Sequence, residues 1–115
     1  MKKLISSIVI VLTLSILVSA QVEKIIETEF KVFGVCGMCK SRIEKAMKIK
    51  QVKSAKWNKE TKMLNVAYVE NAITVDDLHK IVAKVGHDTE KFKAADSVYA
   101  KLPKCCLYRD NPLTH

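Results

Sequence analysis

Apolar residues recur along the chain at two spacings, alternate positions and helical positions, and the order of the two predicts the fold. Alternation over residues 26–34 indicates a half-buried strand. Helical spacing follows over residues 38–50, where lysine, arginine and glutamate cover the opposite side. Residues 52–58 and 62–69 are predicted to form two strands joined by a tight turn, and Trp57 near that turn is expected to pack on the sheet.

A second helix has signals at both ends. Thr74 can cap its N-terminus, Asp76 and Asp77 lie in its first turn, and Gly86 ends it. Its apolar stripe comprises Val75, Leu78, Ile81, Val82 and Val85. A short strand over residues 88–92 would follow. The order β-α-β-β-α-β predicts an α+β, ferredoxin-like sandwich, in which a four-stranded antiparallel sheet carries both helices on one face.

The first 20 residues predict export. A short basic start precedes an apolar run over residues 4–18, and Val18-Ser19-Ala20 forms a small-residue cleavage site. A retained membrane anchor is the alternative, but the run is short for a span of about 20 residues. We therefore expect a signal peptide at residues 1–20, a secreted or periplasmic location, and no membrane span after cleavage.

Charge and length narrow the function classes. Residues 21–115 suit one small domain, and loss of two lysines with the signal peptide lowers the formal net charge from +8 to +6. The lysines are scattered, and an exported chain has little access to nucleic acid, so we expect no nucleic-acid binding. The positive charge can instead steer encounters with an acidic partner.

The stretch Cys36-Gly-Met-Cys39-Lys40 suits either a redox dithiol or a soft-metal site. It differs by one residue from the C-G-P-C-K signature of thioredoxins. The order of elements disagrees with a thioredoxin, because one strand precedes the motif and both prolines, Pro103 and Pro112, lie in the tail. A thiol-disulfide oxidoreductase on another scaffold stays open as an alternative.

A metal site suits both the motif and its position at the start of a helix. The helix N-terminus, Lys40 and Arg42 favour thiolate over thiol at Cys36 and Cys39. Thiolates select soft ions over hard cations. Two ligands suit Cu(I) or Hg(II), whereas Zn(II) asks for four. An exposed, undercoordinated ion can be passed on by stepwise thiolate exchange, which describes a carrier rather than an enzyme.

The strand, CxxC, helix, hairpin, second helix and Val85-Gly86-His87-Asp88 together resemble the heavy-metal-associated (HMA) domain family, over about residues 28–92. The resemblance implies a ferredoxin-like fold and binding of Cu(I) or another soft ion by Cys36 and Cys39. With its signal peptide, the chain resembles the exported copper chaperones and periplasmic mercury-binding proteins of that family. A metal-transporting ATPase, or another metal donor or acceptor, is the implied partner, and a metal-bridged dimer is an open alternative.

Three positions bear on this resemblance. Gly34 stands where the family carries a methionine that packs beneath the metal loop, so the loop is expected to be supported differently. Met38 stands where a small residue is usual, and its thioether can lie near the ion or simply pack. His87 occupies a loop position close to the metal in the family, which makes it a candidate third ligand.

A second cysteine pair, Cys105 and Cys106, lies in the extension over residues 93–115, after the HMA-like domain at residues 21–92. A short helix is predicted over residues 94–102. The 13 residues that separate position 92 from Cys105 span at most about 43 Å, so the pair can reach the CxxC. Neighbouring cysteines rarely bridge each other. Four thiolates can make a zinc-like site, a three-coordinate copper site or a small multi-copper cluster; a disulfide to the CxxC, or a free pair, is the alternative.

The sequence therefore predicts an exported, non-enzymatic soft-metal-binding protein, a metallochaperone or scavenger. Cu(I) is the favoured ion, and Hg(II) and Zn(II) are alternatives. Cys36 and Cys39 are the main ligands, and the auxiliary candidates are Cys105, Cys106 and His87. A thiol-disulfide oxidoreductase and a purely structural disulfide domain are the competing classes.

Overall fold

The computed structural model of the protein describes residues 22–110. The predicted signal peptide, residues 1–20, and residues 111–115 lie outside the described part. Within residues 22–110, no helix is long and apolar enough to cross a membrane. The described residues comprise most of the segment that follows the predicted cleavage site.

The sheet has three antiparallel strands, which are β1 (Ile25–Lys31), β2 (Val52–Trp57) and β3 (Met63–Val69). β3 lies between the other two. Its Leu64 pairs with Phe30 of β1 on one side and with Trp57 of β2 on the other, and all three side chains are buried. The alternation predicted for β1 is confirmed, because Ile26 and Thr28 are half-buried and Phe30 is buried, whereas the residues between them are exposed.

The first helix, α1 (Gly37–Ala46), is shorter than the predicted range of residues 38–50. Met47 caps its C-terminus, and the Met47 side chain is buried in the core. Two turn hydrogen bonds follow, from the N–H of Ile49 to the carbonyl of Met47 and from the N–H of Val52 to the carbonyl of Ile49. The helix ends early because the chain must turn at this point to enter β2.

The second helix, α2 (Val75–Lys84), begins and ends as predicted. The hydroxyl of Thr74 accepts a hydrogen bond from the N–H of Asp77, and the Asp77 carboxylate accepts one from the N–H of Thr74. Gly86 follows with φ of +107°, a left-handed conformation that glycine adopts readily. His79 was not part of the predicted apolar stripe but is buried, with Nδ1 2.6 Å from a threonine hydroxyl.

The predicted fourth strand, residues 88–92, is wrong within the described part of the chain. A single antiparallel bridge joins Thr89 to Val32, so this segment lies beside β1 without forming a strand. The Thr89 side chain explains why this segment does not continue along β1 as a strand. Its hydroxyl accepts hydrogen bonds from the N–H groups of Lys91 and Phe92, and its own N–H donates to the carbonyl of Phe92. These bonds curl the backbone away from β1. The fold keeps the ferredoxin-like order with a three-stranded sheet.

The extension folds back onto the domain. Its elements are α3 (Asp96–Tyr99) and two 3-10 turns, Lys104–Cys106 and Tyr108–Asp110. α3 is thus shorter than the helix predicted over residues 94–102. The extension residues in the hydrophobic core are Tyr99, Leu102, Cys106 and Tyr108.

Two side chains hold the end of the described extension in place. The hydroxyl of Tyr108 donates to the carbonyl of Gly86 (2.6 Å) and accepts from the N–H of Asp88 (2.8 Å). The guanidinium of Arg109 forms two hydrogen bonds to the Asp88 carboxylate, at 2.8 and 3.0 Å. Both anchors lie within three residues of Cys106, so the backbone around that cysteine is fixed against the loop after α2.

Candidate metal centre

The loop between β1 and α1 carries Cys36 and rests on Trp57. The indole N–H of Trp57 donates to the carbonyl of Val32 (2.9 Å). A Cβ atom on Gly34 would lie 3.0 Å from two indole carbons and 3.1 Å from the Cβ of Cys39. Trp57 therefore supports the loop at the position where the family resemblance leads us to expect a methionine, and it does so in addition to pairing within the sheet.

The structure brings both cysteine pairs to one place. The sulfur of Cys36 lies 3.7 Å from that of Cys39, 3.7 Å from that of Cys106 and 3.5 Å from that of Cys105. The sulfurs of Cys36, Cys39 and Cys106 all lie within 4.8 Å of one another. Cys39 and Cys106 are buried, Cys36 is half-buried and Cys105 is exposed. We call these four residues the thiol cluster; all four thiols are free.

The spacing within the thiol cluster suits an ion with three sulfur ligands. For a metal–sulfur bond of about 2.3 Å, sulfurs lie about 3.8 Å apart around a tetrahedral ion, about 4.0 Å apart around a trigonal ion and about 4.6 Å apart across a linear one. The 3.7 Å separations from Cys36 to Cys39 and to Cys106 are close to the tetrahedral and trigonal values and well below the linear one. The residues present therefore fit a soft ion, with Cys106 as the third ligand beside the CxxC pair.

The protonation of the thiol cluster depends on its neighbours. Burial raises the pKa of Cys36, but the backbone N–H groups of Cys39 and Met38 and the thiols of Cys105 and Cys106 outweigh it and bring this pKa down to about 7. Burial, and then its contact with Cys39, raises the pKa of Cys106. Cys36 therefore titrates close to neutral pH, and a cation that binds displaces the protons of the thiols that ligate it.

Arg42 contributes a positive charge on the buried side. Its guanidinium lies on the second turn of α1 and donates to the sulfur of Cys106 at 3.3 Å. This hydrogen bond opposes the rise in the pKa of Cys106 that burial causes. The sequence pointed to Arg42 as a general source of positive charge for the CxxC; its contact is with the cysteine from the extension.

His87 lies apart from the thiol cluster. Its side chain is fully buried, and its Nδ1 lies 2.8 Å from the carbonyl oxygen of Phe33, so Nδ1–H is the donor. The ring stacks on Tyr108, with centroids 5.5 Å apart. Its Nε2 is buried without a hydrogen-bond partner among the described residues. The structure places His87 beneath the loop as a packed neutral ring, and the three mutually close ligand atoms are all sulfurs.

Met38 and Cys105 lie together on the exposed side of the thiol cluster. The thiol of Cys105 lies 3.5 Å from the thioether sulfur of Met38, whose side chain is 54% exposed. The sequence marked Met38 as unusual for its position but could not place it, because its partner comes from the distant extension. The length of the extension showed only that it can reach the CxxC motif. The apolar residues around Cys105-Cys106 were the sequence feature that indicated packing of the extension on the domain.

The fold and the thiol cluster together define a small ferredoxin-like domain with a soft-ligand site at the start of its first helix. Residues 29–88 match the heavy-metal-associated domain family, and the chain belongs to that family. The resemblance predicted from the motifs is confirmed. The match ends before the extension that carries Cys105 and Cys106.

Solved structures show the same likeness. A CopZ metallochaperone is 30% identical, with a TM-score of 0.53, over 56% of this chain and 98% of its own. The N-terminal domain of a potential copper-translocating P-type ATPase from Bacillus subtilis, solved in the Cu(I)-loaded state, is 31% identical, with a TM-score of 0.55, over 65% of this chain and 96% of its own. A search of curated proteins finds no match.

Proposed function

We propose that this protein is an exported Cu(I) carrier that holds its ion through Cys36, Cys39 and Cys106 and releases it by thiolate exchange. The observation that carries the proposal is the group of three sulfurs within 4.8 Å of one another at the start of α1. Thiolates select soft ions. The likeness to a CopZ metallochaperone and to a Cu(I)-loaded ATPase domain supports copper as the cargo.

Exposure within the thiol cluster suggests the route of transfer. Cys36 is half-buried and has a pKa of about 7, whereas Cys39 and Cys106 are buried. An acceptor thiolate reaches the ion from the side of Cys36 and displaces the ligands one at a time, so the ion is never free. The acceptor we propose is a metal-transporting ATPase or another metal-binding protein, and no chemical conversion of a substrate is involved.

Anaerobic titration of the reduced protein tests the ligands. Cu(I), Hg(II) and Zn(II) are added against a competing chelator to the wild type, to Cys36→Ser/Cys39→Ser and to Cys106→Ser. The double variant should lose the tight site. Cys106→Ser should weaken metal binding at this site by at least about 10- to 100-fold, because the loss of an outer-shell partner alone has an effect of that size. Cys105→Ser is the matched control, because Cys105 is not a proposed ligand of the tight site and its loss should leave that site intact. Binding by the double variant as tight as that of the wild type contradicts the proposal.

Two other expectations need their own measurements. Export predicts that the protein made from the full chain in a bacterial host begins at Gln21, which N-terminal sequencing checks; an N-terminus at Met1 on the protein in the cell contradicts export. A metal-bridged dimer predicts that the mass in solution doubles only when the ion is present, and a chelator should reverse it. A metal-loaded protein that stays monomeric at high concentration contradicts the dimer.

A thiol-disulfide oxidoreductase is the second candidate function. It is favoured by the lowered pKa of Cys36 and by three other sulfurs within 3.7 Å of it, because a partly exposed thiolate beside a resolving thiol is what dithiol exchange requires. Catalysed reduction of insulin by the metal-free protein, lost in Cys36→Ser, supports this class. Tight Cu(I) binding with no insulin reduction supports the carrier.

A further inference from the structure

We propose that the thiol cluster holds two Cu(I) ions in one monomer, with Cys36 as the bridging thiolate. This inference rests on the proposed function and adds a second, solvent-facing subsite formed by Cys36, Cys105 and Met38. The first subsite is the buried one, formed by Cys36, Cys39 and Cys106.

The position of Cys36 supports a bridge. Its sulfur contacts those of Cys39, Cys105 and Cys106, at 3.5–3.7 Å, and so lies between the buried and the exposed sulfurs. A thiolate keeps lone pairs after it binds one soft ion and can bind another. Cys105 is not part of the group of three mutually close sulfurs, although it contacts two of its members. The four sulfurs are therefore not all close to one another, as the four ligands of a closed Zn(II) site are.

Met38 supplies a further soft donor on the exposed side. Its thioether sulfur lies 3.5 Å from the sulfur of Cys105, which is the exposed cysteine of the thiol cluster. A methionine side chain that is 54% exposed gains little from packing, so this contact between two sulfurs is its clearest structural feature. Thiolate with thioether is a ligand set that selects Cu(I).

The charge of such a cluster can be balanced locally. Four thiols would release four protons to solvent, and four thiolates with two Cu(I) ions carry two negative charges in excess. The Arg42 guanidinium donates to the sulfur of Cys106, and the N-terminus of α1 faces the CxxC pair. Both stabilise the excess negative charge without a further ligand.

Native mass spectrometry and anaerobic titration with the Cu(I)–bicinchoninate complex test this inference. The reduced wild type should bind two ions per monomer, the second more weakly. Cys105→Ser should bind one, and Met38→Leu should weaken only the second ion, by about 10- to 100-fold. Both side chains are exposed, so neither change should affect folding. Met63→Leu, in β3, is the matched control and should bind as the wild type does.

The outcomes separate this inference from the proposed function. One ion per monomer at saturation, two ions in Cys105→Ser, or two ions found only in a dimer would each overturn the two-ion cluster and leave the carrier intact. Wild-type binding by Cys36→Ser/Cys39→Ser would overturn both. X-ray absorption by the loaded wild type should show copper–copper scattering, and Cys105→Ser should lack it; scattering that persists in Cys105→Ser contradicts the assignment of the second subsite.

Discussion

Replacing His87 with asparagine should reduce the loss of stability of the metal-free fold between pH 7 and pH 5 by about 2 kcal/mol. In the native structure the buried ring donates from Nδ1 to the carbonyl of Phe33, and Nε2 has no hydrogen-bond partner among the described residues. Protonation of Nε2 would bury a charge, close to Arg42, with no acceptor for the new N–H. Burial, and then Arg42, therefore lowers the pKa of His87 to about 4.

The size of the effect follows from the two pKa values. In the unfolded chain His87 titrates near its ordinary pKa of about 6.5, so between pH 6.5 and pH 4 the unfolded state binds a proton that the native state does not. Stability is therefore lost as pH falls through this window, with a slope of at most about 1.4 kcal/mol per pH unit. For a folded pKa of about 4, the free energy of unfolding falls by about 2 kcal/mol between pH 7 and pH 5.

Urea unfolding of the reduced, metal-free protein at pH 7 and pH 5 measures this loss. The quantity compared is the pH-dependent difference, so any constant destabilisation of His87→Asn cancels. Asparagine can keep a donor near the Nδ1 position. Burial lowers the pKa of His79 as well, so His79 contributes acid sensitivity of the same sign, and the pH-dependent loss measured in His79→Asn gives that contribution separately. If His87→Asn loses as much stability as the wild type between the two pH values, burial does not hold His87 neutral and the reasoning is wrong.

Two further changes test the packing around the metal loop. Gly34→Ala places a Cβ 3.0 Å from the Trp57 ring and should destabilise the fold by about 1–3 kcal/mol, whereas Gly37→Ala, with nothing within 4 Å of its new Cβ, should be tolerated. Equal urea midpoints for the two variants would contradict this. Tyr108→Phe removes two hydrogen bonds and should cost about 2–6 kcal/mol, at about 1–3 kcal/mol for each group left without a partner. The control is Tyr68→Phe, because the Tyr68 hydroxyl has no hydrogen bond to a described residue; a loss as large for Tyr68→Phe would contradict the role assigned to the Tyr108 hydroxyl.

The parts of the fold that local patterns determine were predictable. Alternation in β1, the Thr74 cap of α2 and the end of that helix at Gly86 each depend on residues close in sequence, and each was confirmed. The predicted fourth strand does not form because the Thr89 hydroxyl competes with strand pairing. That hydroxyl accepts hydrogen bonds from the N–H groups of Lys91 and Phe92. The pattern of apolar residues does not predict these hydrogen bonds.

The candidate site was predictable in its residue types and less so in its arrangement. The CxxC marked the start of α1, but naming Cys105, Cys106 and His87 together as auxiliary candidates missed their different environments. Cys106 is buried in the thiol cluster, Cys105 lies on its exposed edge and His87 packs beneath the loop. These differences arise from where the extension docks. The docking position depends on the hydrogen bonds of Tyr108 with Gly86 and Asp88. Because these partners lie some 20 residues apart in the chain, local sequence patterns do not predict the contacts.

The docked extension bears on how the proposed carrier holds its ion. Tyr108 and Arg109 fix the chain just after Cys106, so the third sulfur is in place before any metal arrives. The conformational entropy of ordering the extension is then part of folding and does not weaken metal binding. A third, preorganised thiolate should slow release relative to a two-thiolate site, and yet Cys36 and Cys105 keep one side open to solvent. On the proposed function, the extension therefore gives an HMA domain tighter retention without closing the path by which an acceptor thiolate reaches the ion.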